Sequence, residues 1–261
     1  MKFIQSRDNP FYKELAKLAG SPRQRNISAQ TLLDGPHLLA ACLDSGKQPH
    51  HVLLNAAALH EAEITALLER IEDVPVTQLD DKLFAALSEL KTPTGILALI
   101  DIPEPASHAA PSGFALLLEE IQDPGNLGSM LRSAAAAGCD AVFLSRGCAD
   151  AWSPKVLRAA MGGHFALAVH EHADLPDIVA RFGGSTFGAS LQAPESLYDH
   201  DYRGNVAFAF GNEGSGLSKE LTEALQHTIL IPMAGKVESL NAAAAAAVCL
   251  FETVRQRAAK I

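Results

Sequence analysis

At 261 residues the chain is long enough for one large or two modest domains, and a 48 % hydrophobic content excludes a disordered chain. A net charge of −9 argues against a general nucleic-acid coat, since neutralising phosphates requires cations. No apolar run reaches the roughly 18 residues of a membrane helix, the N-terminus lacks a signal-peptide core, and Cys42, Cys139, Cys148 and Cys249 show no C-x-x-C spacing, so the expected setting is the cytoplasm without disulfides.

Charge is unevenly spread. Within residues 1–30, Lys2, Arg7, Lys13, Lys17, Arg23 and Arg25 face only Asp8 and Glu14, which leaves the remainder more acidic than the total. Such a patch is either a solvated basic helix face or a docking point for an anionic partner. Residues 9–19 predict a helix with Pro10 in its first turn and an apolar stripe of Phe11, Leu15 and Leu18. The polar, basic stretch Ser21–Ser28 predicts a loop. Then come a strand near Thr31–Leu33, a helix over Pro36–Leu43, a strand at Val52–Asn55 and a helix at Ala58–Glu69. A strand at Val74–Gln78, a helix at Asp80–Leu90 and a strand at Gly95–Ile100 complete an α/β alternation with parallel pairing.

Asp101–Gly113 holds three prolines and no helical period, so it predicts a linker between a domain over 1–100 and a second over 114–261. The second series predicts strands at Phe114–Glu119, Ala141–Leu144, Ala166–His170, Ser185–Ser190, Val206–Phe210 and Thr228–Ile231. Helices are expected at Leu127–Ala137, Pro154–Met161, Leu175–Phe182, Lys219–Leu225 and Leu240–Arg257. Short connections and crossover lengths suit a parallel sheet covered on both faces.

Three segments gather polar residues and glycines at strand-to-helix turns, where open α/β sheets hold their ligands. In Q-D-P-G-N-L-G-S-M-L-R (Gln122–Arg132), Asn126 is placed to cap a helix, and Arg132 is either an exposed helix arginine or a fork for phosphate. In G-N-E-G-S-G-L-S (Gly211–Ser218) the glycines match neither a P-loop nor a dinucleotide fingerprint. They suit either a tight turn or close backbone approach to a small ligand such as a nucleoside. The stretch Thr228–Phe251 reads as a short buried strand, a loop bounded by Pro232, and a helix with Ser239 as its cap. Its six alanines, Ala242–Ala247, make either an ordinary buried helix or a surface for close approach, and Glu238, Ser239 and Asn241 cluster at its mouth. No metal-ligand set emerges, since His164, His170 and His172 lack partners at ligand spacing, and no G-x-S-x-G elbow is present.

Taken together, D-P-G-N-L-G-S-M-L-R-S-A-A-A-A-G, F-G-N-E-G-S-G-L-S and I-P-M-A-G-K-V-E-S-L-N-A-A-A-A resemble the TrmH/SpoU-type RNA ribose methyltransferases over most of residues 114–257. S-R-D-N-P-F-Y-K-E-L-A-K-L and L-L-D-G-P-H-L-L are similar to the family's appended ribosomal-protein-like substrate-binding domain. The resemblance implies S-adenosylmethionine-dependent 2′-O-methylation of structured, ribosomal RNA, a C-terminal trefoil knot and a homodimer. It implies an active-site group of Asn126, Arg132, Glu213, Ser239 and Asn241. The cofactor would be held at Gly211, Ile231, Met233, Leu240 and Asn241; with RNA as the anionic partner, the basic N-terminal patch would hold it at Arg7, Lys13, Arg23 and Arg25. Two departures stand out: Asp34 and His37 occupy positions where the family commonly has Glu and Arg, and alanine follows Asn241 where a hydroxyl residue is common. Rival expectations are a knotted methyltransferase acting on tRNA or on a base, and an RNA-binding assembly protein without turnover.

Overall fold

The computed structural model describes residues 1–88, 90–105, 111–235 and 237–258. In chain order its elements begin with β1 (Lys2–Ile4), α1 (Pro10–Gly20), α2 (Pro22–Ser28), β2 (Gln30–Asp34), α3 (Pro36–Asp44), β3 (His51–Leu54), α4 (Ala62–Leu68), β4 (Val76–Leu79), α5 (Asp81–Leu87) and β5 (Ile96–Asp101). They continue with β6 (Phe114–Leu118), α6 (Pro124–Ala137), β7 (Ala141–Leu144), α7 (Pro154–Ala160), β8 (Ala168–His170), α8 (Leu175–Arg181), β9 (Ser185–Ala189), β10 (Glu195–Ser196), β11 (Val206–Phe210), α9 (Lys219–Ala224), β12 (His227–Leu230) and α10 (Ala242–Ala258). Two compact units result: Met1–Glu104 with Trp152–Phe165, and Pro105–Ala151 with Ala166–Ile261.

The first unit carries a sheet in the order β1-β4-β3-β5-β2. Pairing is parallel between β1, β4 and β3, while β5 runs antiparallel to both of its neighbours. Ile4, Leu15, Leu53, Leu79, Phe84 and Leu97 belong to one buried cluster beneath the helices. Strand β1 has no counterpart in the sequence pattern, because its three residues give no period and only Ile4 is buried. The helix expected over Ala58–Glu69 divides into a 3₁₀ turn, Ala57–His60, and α4, separated by extended backbone at Glu61.

Ser21–Ser28 is a helix and not the loop its composition suggested. Ser21 accepts a hydrogen bond from the Gln24 N–H at 3.3 Å, and Pro22 sits at the first helical position. A serine cap followed by proline is a local start signal that outweighs the polar composition. Arg25, from the same helix, is 2 % exposed. Its guanidinium donates to the carbonyls of Leu18 and Ala19, capping the C-terminal end of α1.

The second unit is a seven-stranded sheet in the order β10-β12-β9-β11-β6-β7-β8, and every pairing is parallel. All five residues of β6 and all five of β11 are buried, as an apolar run covered on both faces requires. Helix α10 packs on α6 and β11, and α8 packs on α9. Strand β12 is less buried than its sequence suggested, with only Ile229 fully enclosed. Strand β10 was not expected: two residues carry no alternation to read. The strand expected over Ala166–His170 is shortened by a 3₁₀ turn at Gly163–Ala166.

Two caps also differ from expectation. Asp123, not Asn126, caps α6, accepting from the Asn126 N–H at 2.8 Å, and Pro124 opens the helix. Asn241, not Ser239, caps α10, its side-chain oxygen accepting from the N–H groups of Ala243 at 2.9 Å and Ala244 at 3.3 Å. Each cap lies immediately before the first residue able to continue the helical ladder, and this releases the Asn126 side chain for other work.

Candidate active site

Strands β6, β11, β9 and β12 are neighbours, so their C-terminal ends lie side by side along one edge of the sheet. From those ends leave the turn into α6, the glycine loop after β11, and the segment after β12. Ligands of parallel sheets bind at this edge because the strand ends and following helix N-termini converge there.

Three of the expected residues come together. The Asn241 amide donates to the Asn126 side-chain oxygen at 2.9 Å. The Asn126 amide donates in turn to Glu213 Oε1 at 2.9 Å. One side chain from each segment is therefore joined in a single hydrogen-bonded relay, 115 residues apart in sequence at its longest step. Because α6 and α10 both begin here, two helix N-termini add partial positive charge to the same place. That is an environment for an anion or a developing oxyanion.

The glycine loop is held at both ends. Asn212 donates to the Glu120 carbonyl at 3.0 Å and accepts from the Gly214 N–H at 2.9 Å and the Ser215 N–H at 3.2 Å. Glu119 accepts from both the N–H and the hydroxyl of Ser218, each at 2.7 Å, while that hydroxyl caps α9 through the Leu221 N–H. A Cβ at Gly211 would lie 2.2 Å from the Gly216 carbonyl, so only glycine lets the two backbones approach. Sequence reasoning missed Glu119 and Asn212; the readable signal was an acid immediately after the all-apolar β6. Cys148 also lies near this edge, donating to the Leu118 carbonyl at 3.2 Å. Burial pushes its thiol pKa up, so it stays protonated at neutral pH.

The remaining expected residues are placed differently. Arg132 lies on the exposed side of α6 and makes no side-chain hydrogen bond or ion pair within the relay. Ser239 is exposed and plays no capping part. Ile231 and Met233 are half-buried, and Leu240 is 39 % exposed, giving the last segment an apolar, open lining. In the first unit Arg7, Lys13 and Arg23 are exposed, Lys13 pairing with Asp8 at 2.9 Å. Arg25 leaves this set, since its burial and carbonyl contacts make it structural. Asp34, one of the departures, accepts from the Ser88 hydroxyl at 2.6 Å.

Comparison with known proteins shows the family. The sequence model of the SpoU rRNA Methylase family matches residues 113–251, and that of the MRM3-like substrate binding domain matches residues 9–98. The chain is 34 % identical to the 23S rRNA (guanosine(2553)-2′-O)-methyltransferase RlmP of Bacillus subtilis, over 96 % of this chain and 98 % of that one. A crystal structure of an RNA 2′-O ribose methyltransferase superposes with a TM-score of 0.83 at 30 % identity, covering 98 % of this chain and 99 % of the other. The SpoU methyltransferase AviRb from Streptomyces viridochromogenes, in complex with the cofactor AdoMet, gives a TM-score of 0.85 at 25 % identity, over 96 % and 98 % of the two chains. The polar relay at the strand ends thus lies within a matched family region that spans more than half the sequence, and the chain belongs to the SpoU rRNA Methylase family.

Proposed function

We propose that this chain transfers a methyl group from S-adenosylmethionine to a ribose 2′-hydroxyl of ribosomal RNA in the cytoplasm. The observation that carries the reading is the Asn241–Asn126–Glu213 relay at the C-terminal edge of the parallel sheet. A protein that only bound RNA would have no need to tie three separate loops into one polar junction.

The residues present fit the cofactor. The closed glycine turn at Gly211 offers backbone to a nucleoside, and Ile231, Met233 and Leu240 offer apolar surface beside it. Two helix N-termini suit a carboxylate. When bound, S-adenosylmethionine supplies an electrophilic methyl group on a sulfonium. The protein must align the sugar oxygen with it and stabilise the charge that develops there. Asn241 and Asn126 fix Glu213 and the loop that carries it, so the loop geometry exists before substrate arrives. A guanidinium is a poor general base, so the role of Arg132 is that of a group that orients phosphate and supports the oxyanion. Ser239 stands at the rim as a further polar contact.

Residues 1–100 act as the substrate-binding domain, 101–113 (of which 106–110 lie outside the described residues) as the linker and 114–261 as the catalytic domain, with the exception that Trp152–Phe165 groups with the first compact unit. The two matched regions, 9–98 and 113–251, support this division. The catalytic domain carries a trefoil knot, a reading supported by β12, last in sequence, lying between β9 and β10, and by the Asn241–Asn126 contact just before α10. It works as a homodimer, as the family resemblance implies.

The test is transfer of labelled methyl from S-adenosylmethionine to ribosomal RNA lacking the modification, with nucleoside digestion to locate the label. Ribose label is expected, and Arg132→Ala should abolish it while cofactor affinity by calorimetry stays within about twofold. Label on a base, or tight RNA binding without transfer, would overturn the assignment. Equal loss of transfer and cofactor affinity in Arg132→Ala would remove the role given to that residue.

A further inference from the structure

Away from the relay, three side chains with metal-ligating atoms converge. Glu195 opens β10, His200 follows the short turn after it, and His227 opens β12. Glu195 Oε2 lies 3.2 Å from His200 Nε2 and 3.3 Å from His227 Nδ1. The three donor atoms all fall within 4.8 Å of one another. Glu195 Oε2 and His200 Nε2 are shielded from water, yet neither makes an aligned hydrogen bond among the described residues.

That last pair of facts decides between two readings. A carboxylate resting on an imidazole would align an N–H with the oxygen, because a shielded, unsatisfied oxygen is costly. Here the atoms are close but no aligned N–H joins them, an arrangement that donors around a shared cation adopt. For zinc bound tetrahedrally at about 2.0–2.2 Å, neighbouring donors should be separated by about 3.3–3.5 Å. The two separations from Glu195, 3.2 and 3.3 Å, fall close to this, and the two imidazole nitrogens lie within 4.8 Å of each other.

The surroundings hold the donors in place. The Phe187 ring stacks on His227 at 5.0 Å and 17°, and meets His200 edge-on at 5.0 Å and 67°. Gln256 of α10 donates to the His200 carbonyl at 3.0 Å and accepts from the Tyr202 N–H at 2.8 Å. The Tyr202 hydroxyl closes the turn on the Leu197 carbonyl at 2.7 Å. Ligands fixed by packing and by surrounding hydrogen bonds need little reordering to bind an ion.

We infer that Glu195, His200 and His227 form a binding site for a divalent transition metal of the zinc class. Two imidazoles with one carboxylate match such ions, whereas magnesium and calcium require oxygen sets. Three protein ligands leave a fourth position for water. Both strand-borne ligands are the first residues of their strands in a parallel sheet, the opposite end from the relay. The ion therefore clamps the β10 edge to β12 and takes no part in methyl transfer, and the inference stands independently of the proposed function.

The experiment is calorimetric titration of the full-length, chelator-treated protein with zinc chloride, and separately with magnesium chloride, alongside thermal unfolding with and without zinc. One equivalent of zinc per chain is expected, with an upward shift of the midpoint, and no binding of magnesium at equal concentration. His200→Gln and His227→Gln should each lower zinc affinity about tenfold or more and remove the midpoint shift. Should either variant fail to fold, Glu195→Gln, on a part-exposed side chain, carries the same comparison. Absence of zinc binding to the parent protein, or unchanged affinity in the folded variants, would overturn the site.

Discussion

Asn126 uses both ends of its amide, donating to Glu213 and accepting from Asn241. Alanine there removes two hydrogen bonds at a part-exposed position, where each contributes about 1 kcal/mol or less to stability. Their larger effect is geometric, since three loops lose their shared junction and a misplacement of about 1 Å is enough to cost two orders of magnitude in rate. Asn126→Ala should therefore reduce labelled-methyl transfer by about a hundredfold while shifting the unfolding midpoint by only a few degrees. A melting curve displaced as severely as the rate would show that the relay serves folding instead. Glu213 entered only through the family resemblance, whereas Asn126 and Asn241 were legible in the sequence as polar residues at helix mouths. Their bonds to one another were not, because nothing in a linear spacing brings residues 126, 213 and 241 together.

Helix starts show how local chemistry and tertiary demand divide the work. Both Ser239 and Asn241 are residue types that cap helices, and sequence favoured the first. The structure uses Asn241, whose oxygen reaches the Ala243 and Ala244 N–H groups while its amide reaches Asn126. Asn241→Ala should cost about 1 kcal/mol of stability in denaturant titration, and Ser239→Ala should leave stability within about 0.5 kcal/mol. The reverse ranking would restore Ser239 as the cap. The alanine run is explained at this scale: α10 lies against α6 and β11, and small side chains allow it to do so. Ala246 is wholly enclosed, whereas Ala244 is exposed, so the run serves both a buried and an open face.

For the molecule as a whole, the acidic balance and the basic N-terminal patch confine electrostatic attraction for RNA to a small part of the surface. Arg7, Lys13 and Arg23 are exposed and able to serve; Arg25 is committed to the carbonyls at the end of α1. Neutralising the first three should weaken RNA binding and lessen its salt slope by about one for each phosphate no longer neutralised, leaving cofactor affinity unchanged. Arg25→Ala should instead lower thermal stability, by about 1.5–3 kcal/mol for a charged hydrogen bond to buried carbonyls. Filter binding at several salt concentrations, paired with melting curves, separates the two effects; an undiminished RNA affinity in the triple variant would dismiss the patch.

By itself the sequence determined the alternation of strands and helices, the apolar runs of β6 and β11, and the three glycine- and polar-rich turns. All of these follow from the period and conformational preferences of neighbouring residues. It did not reveal β1 or β10, whose three and two residues are too few for any period to emerge. It also mistook α2 for a loop, weighing composition above a serine–proline start. Only the tertiary structure decided which residues cap α6 and α10, that Arg25 is buried, and that Glu195, His200 and His227 share one point. The last of these depends on strand order: β12 lies between β10 and β9. Contacts between distant segments are settled by the packing of the whole sheet, which no local window of residues contains.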